Sequence, residues 1–161
     1  MNFPKKYIPK HLSKKDKLIL KKEIIKTRKN YKKNKYLDRR KVRSYKPQKS
    51  KHVIKAMKLY NISSIKPSKL LAHKTKCSIK SLKEIENKGR GAWFSGSRPN
   101  QNIYSWGIAR LASSITGGKS SAVDFYILKK GCKKTSKALK LATQSLKKYK
   151  KGTRKVPKIT L

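Results

Sequence analysis

Lysine and arginine crowd both ends of this chain and almost vanish from its middle, which limits where a folded core can form. Repulsion between neighbouring like charges favours the expanded chain and works against apolar burial. Residues 1–50 hold twenty Lys/Arg against three acids, Asp16, Glu23 and Asp38. Residues 91–128 hold only Arg98, Arg110 and Lys119, against Asp124. Residues 129–161 return to thirteen basic residues and no acid. The charge-poor middle carries both tryptophans, Trp93 and Trp106, with Phe94, Tyr104, Phe125 and Tyr126. Aromatic side chains supply much of the burial in small cores. The expectation is therefore a basic arm over 1–50, largely disordered when free, a helical core domain over 51–148, and a basic tail over 149–161.

The surplus also predicts a partner. Across 161 residues, 47 Lys/Arg face six Asp/Glu, a formal net charge of +41. Duplex DNA carries one negative charge per ~1.7 Å of axis, so this surplus matches about 70 Å, or about twenty base pairs. A polyanion is expected, duplex DNA first, although RNA shares the same electrostatics. Lysine outnumbers arginine, which favours diffuse phosphate neutralisation over bidentate recognition.

Other classes find little support. There is no apolar run near the ~20 residues of a membrane span and no signal-peptide stretch at Met1–Lys6. Cys77 and Cys132, with His11, His52 and His73, do not make a zinc spacing. They are expected to be two half-buried free thiols in a reducing compartment, since one bridge makes no disulfide scaffold. No metal or cofactor is expected. Glu84 and Glu86 point about 200° apart on a helix and cannot work as an acid–base pair. A Ser-His-Asp arrangement would need His73 brought to Asp124, so no enzyme is predicted.

Every strong periodic element is helical, so the fold class is all-α. Ser13 caps a segment running to about Lys29, expected to stay marginal until phosphate neutralises its lysines. Short helices follow over 52–60, 69–74 and 78–88, the last with Gly89 as its stop. Residues 90–104 read as loop, with Trp93-Phe94 extended. Ser105 caps a helix to Ile115 that Gly117-Gly118 ends. Further helices span about 121–130 and 136–148.

Candidate nucleic-acid ligands follow from this layout. In the arm they are Lys14, Lys15, Lys21, Lys22, Arg28, Lys32, Lys33, Arg39, Arg40 and Arg43. Residues 69–88 suit a helix-turn-helix whose second helix would carry Lys80, Lys83 and Lys88 into a major groove. Two adjoining packed helices explain the same pattern, and the usual turn glycine is absent. Arg90 and Arg98 flank an amide-rich loop in which Asn100 or Gln101 would contact phosphates or base edges, or else satisfy backbone groups. Gly117-Gly118-Lys119-Ser120 resembles the end of a Walker A loop, but Ser113 stands where its first glycine belongs and a helix precedes it. What remains there is Lys119 beside exposed N–H groups, enough for one backbone phosphate. Arg110, on a helix otherwise packed by Trp106 and Leu111, reads first as a snorkelling surface residue, with Asp124, the only acid in the charge-poor middle, as a plausible partner.

Residues 89–132 contain Ser97-Arg98-Pro99-Asn100-Gln101, Ser105-Trp106-Gly107-Ile108-Ala109-Arg110 and Thr116-Gly117-Gly118-Lys119. With Phe3-Pro4-Lys5-Lys6-Tyr7-Ile8-Pro9-Lys10 and Leu12-Ser13-Lys14-Lys15-Asp16, they resemble a small domain family of uncharacterised function. That family is encoded by giant nucleocytoplasmic large DNA viruses. The resemblance implies a virus with a long duplex genome, and a basic protein packaged in the virion interior or working in the host nucleus or a cytoplasmic virus factory. It carries no site residues over. The function expected is sequence-nonspecific DNA binding that neutralises, compacts or packages that genome. The alternatives are a virion structural module whose charge-poor centre binds protein, and an RNA-binding factor.

Overall fold

In the computed structural model, which describes residues 2–150 and 158–160, helices form where apolar residues recur at helical spacing, several of them behind a capping hydroxyl such as Ser13, Ser68 or Ser136. In chain order they are α1 (Lys14–Tyr31), α2 (Lys51–Tyr60), α3 (Lys69–Thr75), α4 (Ile79–Ser95), α5 (Ile103–Ile115), α6 (Lys119–Val123), α7 (Phe125–Gly131) and α8 (Lys137–Tyr149). A 3-10 turn spans Lys5–Tyr7, and β1 (Asn2–Pro4) pairs antiparallel with β2 (Lys158–Thr160), Phe3 opposite Ile159. The all-α expectation holds. The tail expected over 149–161 lies mostly outside the described residues.

The chain divides into two compact units. The first joins Met1–Gln48, Arg90–Trp106 and Val156–Leu161, and the second joins Lys49–Gly89 and Gly107–Lys155.

The first unit overturns the disordered arm. Residues expected to be unfolded build a core of their own, with Phe3, Ile8, Leu12, Leu20, Ile24 and Val42 buried together. Ser13 Oγ accepts from the Asp16 N–H at the start of α1. The Asp16 carboxylate accepts from both the N–H (2.7 Å) and the hydroxyl (2.6 Å) of Ser44, tying the chain after α1 to its first turn. Asn100 makes a similar tie. Its Oδ1 accepts from Val42 N–H at 2.8 Å, and its Nδ2 donates to Val42 O and Tyr45 O. The amides of the central loop thus hold backbone, one of the two roles open for them. The loop itself is shorter than expected, because Trp93 and Phe94 continue α4 rather than forming an extended piece. Phe94 stacks on Tyr31 at 4.7 Å and meets the edge of Tyr36 at 5.4 Å. At Gly96 (φ +139°) a Cβ would sit 2.8 Å from the Tyr7 ring, so the turn after α4 needs glycine twice over.

In the second unit α8 packs on α6 and α7, and α2 on α3. Leu71, Leu82, Ile85, Leu111, Ile115 and Leu128 are fully buried in its core with Ala138 and Ala142 of α8. Gly89 is not a stop. An added Cβ there would lie 2.7 Å from Gly107 Cα and 2.9 Å from Arg110 Cβ, so its role is close approach of α4 to α5. The free thiols are also corrected. Cys77 and Cys132 form a disulfide. They face each other in an isolated antiparallel bridge, flanked by Ser78 N–H to Gly131 O and Lys133 N–H to Lys76 O. The residues lie 55 apart in sequence, and spacing alone could not reveal a pairing made by the fold.

Candidate nucleic-acid interface

The buried face of α1 decides where its lysines stand. Asp16, Leu20, Ile24 and Thr27 point into the first unit. At about 100° per residue, Lys15, Lys22, Lys26 and Lys29 then gather within about 60° on the far side, along ~21 Å of helix. All four are exposed, and only exposed Leu18 interrupts the row. The turn after α1 extends it. Lys33 and Lys35 N–H groups both donate to Asn30 O, Asn34 takes positive φ, and Lys32, Lys33 and Lys35 project outward. Arg40 and Arg43 are exposed beyond it. These cations are held in one geometry by a folded core.

The arginines of this unit split into two kinds. Arg39 is half-buried, stacks on Trp93 at 4.1 Å, donates to Thr27 Oγ1 and Ser97 Oγ, and also bonds Trp93 O. Burial pushes its guanidinium down to about 10, with Tyr7 and Glu23 opposing that shift, so it stays charged at neutral pH. Arg28 lies over Phe3 at 4.6 Å and donates twice to Ser95 O. Both hold the fold rather than face a ligand. Lys21 is half-buried, whereas Lys14, Lys15 and Lys22 are exposed. Arg98 is exposed, and Arg90 lies over the Tyr104 ring at 4.6 Å.

In the second unit, α3 and α4 are joined by Lys76 in the left-handed region (φ 55°), the conformation a turn glycine would take. Lys80 and Lys83 are exposed on the first turns of α4. Lys88 is turned toward Asp124, 3.5 Å from Oδ1. That buried carboxylate takes a two-pronged bond from Arg110 (2.9 and 2.7 Å) and another from Ser114 Oγ, so of the two roles open to Arg110 the pair is the one present. The glycine loop before α6 is closed as an anion cradle. Gly118 N–H donates to Ser113 O, Ser120 N–H reaches Ser113 Oγ, and Ser121 Oγ bonds the Ser113 and Ser114 carbonyls. Lys119 itself remains exposed, its Nζ 5.8 Å from the centre of the Tyr149 ring.

Charge counting missed Lys26 and Lys29, although the spacing of α1 would have found them. On α8, Lys137, Lys140 and Lys147 are likewise exposed on one side, away from buried Ala138, Ala142 and Ser145. Among the described residues, no cluster of three or more His, Cys, Asp or Glu stands close enough to hold a metal, and no helix is long and apolar enough to cross a membrane.

The sequence profile of a family described as of unknown function, DUF5824, matches residues 4–140, and the chain belongs to that family. No curated protein and no solved structure matches it.

Proposed function

We propose that this member of the family is a sequence-nonspecific DNA-binding protein that neutralises and compacts duplex DNA. The observation that supports the reading best is the lysine row of α1, four exposed cations opposite a buried face in a chain of net charge +41. Rows of lysine offer point charges to phosphates at any sequence and little base-edge geometry. In the second unit the α3–α4 pair is assigned the helix-turn-helix role, with Lys80 and Lys83 as its groove-facing cations. The setting proposed is the genome of a large DNA virus, in the virion interior or at the nuclear or cytoplasmic site of its replication.

Binding through about ten phosphates gives a slope of log K against log salt of about −9. Replacing Lys15, Lys22, Lys26 and Lys29 together by Gln removes up to four contacts and makes that slope shallower by about 3 to 4. Titrations of unrelated duplexes at several salt concentrations check both. Affinity that ignores salt, or a quadruple variant with an unchanged slope, overturns the reading for α1.

A further inference from the structure

Two tyrosine rings in the first unit remain in solvent although neighbouring side chains pack against them. Tyr36 keeps 66% of its surface exposed and Tyr104 63%. Single exposed aromatics are ordinary. These two flank one face of α4. Tyr36 stands edge-on to Phe94 at 5.4 Å and to Tyr31 at 5.9 Å, which fixes its ring. Arg90, one helical turn before Phe94 on the same side of α4, lies over Tyr104 at 4.6 Å and fixes the second ring. The adjoining segment is strongly basic. Lys32, Lys33, Lys35, Arg40 and Lys41 are exposed there, against the single acid Asp38.

We infer that this face binds unpaired bases of a single-stranded nucleic acid, with Tyr36 and Tyr104 as stacking platforms. Rigid aromatic faces beside a cationic track are how proteins hold single strands without reading sequence, since every base has a π-face. Arg90 adds a guanidinium that keeps one ring in place and lies near any phosphate linking stacked bases. Base-paired DNA offers neither ring a free base face, so the platform discriminates by strand state. The inference rests on the proposed polyanion binding of the same unit and adds a class of ligand to it.

The test uses the full chain and four labelled probes of about twenty units at one salt concentration. They are oligo-dT, oligo-U, an abasic deoxyribose-phosphate strand and a duplex. The wild-type chain is expected to prefer oligo-dT or oligo-U to the abasic strand by at least about tenfold, and the tighter of the two names the source strand. Stacking is worth about 1–3 kcal/mol per base, so Tyr36→Ala with Tyr104→Ala lowers single-strand affinity by about tenfold or more. Duplex affinity stays within about twofold, and the double Phe variant keeps single-strand binding. Equal loss on single strand and duplex overturns the inference, as does a wild-type chain indifferent to the presence of bases. A chain that binds the duplex and fails only these comparisons leaves the lysine reading standing, whereas one that binds no probe removes both.

Discussion

At the scale of single residues, Asp16 and Asp124, two of the few acids of this chain, are structural. Asp124 is fully buried and satisfied by Arg110 and Ser114, a pairing legible only as one of two roles for Arg110, on the ground that no other acid lies in the charge-poor stretch. Asp16 offered no such clue. Its partner Ser44 lies 28 residues on, past a stretch without period, so no local rule reaches it. The hydroxyl of Ser44, then its N–H, holds the Asp16 carboxyl below the usual carboxylate range. A depressed carboxyl stabilises the fold above its unfolded pKa and loses that contribution as pH falls through the folded one. Ser44→Ala is therefore expected to lower the urea midpoint most near pH 6, with the gap to wild type narrowing toward pH 3. An equal gap at both pH values would show that the hydroxyl serves only its bond from Ser13 N–H.

Elements were legible where cap and period coincide, as in α1 and α8. They failed where one residue type serves two ends. Gly89 fits a helix stop in sequence, yet it is the close contact between α4 and α5, and misreading it turned Arg90–Ser95 from helix into loop. Asn102, not Ser105, caps α5. Its Oδ1 accepts from Ser105 N–H while Ser105 Oγ accepts from Asn102 N–H, a reciprocal box three residues wide. The disulfide belongs to this scale too, since it ties the α3–α4 turn to the residue after α7. Closing a loop of 55 residues is worth about 4 kcal/mol on the chain-entropy account. Cys132→Ser, or reduction of the wild type, is expected to cost about that much by denaturant titration. A Cys132→Ser chain as stable as the oxidised wild type would show that the bridge is not formed in solution.

For the whole molecule, the reading of charge was right about magnitude and wrong about its consequence for order. A density of twenty Lys/Arg in fifty residues was expected to keep the N-terminal part unfolded. The structure separates charge from core instead. On α1 Lys15, Lys22, Lys26 and Lys29 stand on one side, while Leu20 and Ile24 pack with Phe3, Ile8, Leu12 and Val42 on the other. The missing signal was non-local, because Val42 and Phe3 are isolated apolar residues whose value appears only when they meet Leu20 and Ile24.

Folding nevertheless leaves +41 on a small surface, and salt should then act in opposite directions on the free and the bound protein. Screening shortens from about 30 Å at 0.01 M to about 8 Å at 0.15 M, which relieves repulsion between exposed lysines. Without nucleic acid, the melting temperature is expected to rise over that range. With excess duplex DNA it starts higher, because a ligand that binds only the folded state stabilises it by RT ln(1 + [L]/Kd). Salt weakens that binding steeply, so the bound curve falls while the free curve climbs, and the two converge. Thermal melts with and without duplex across a salt series measure both slopes. Parallel curves would mean that the DNA is not held by ion exchange. A free protein that loses stability with added salt would mean that its few ion pairs, Arg110–Asp124 among them, outweigh repulsion between its lysines in the fold.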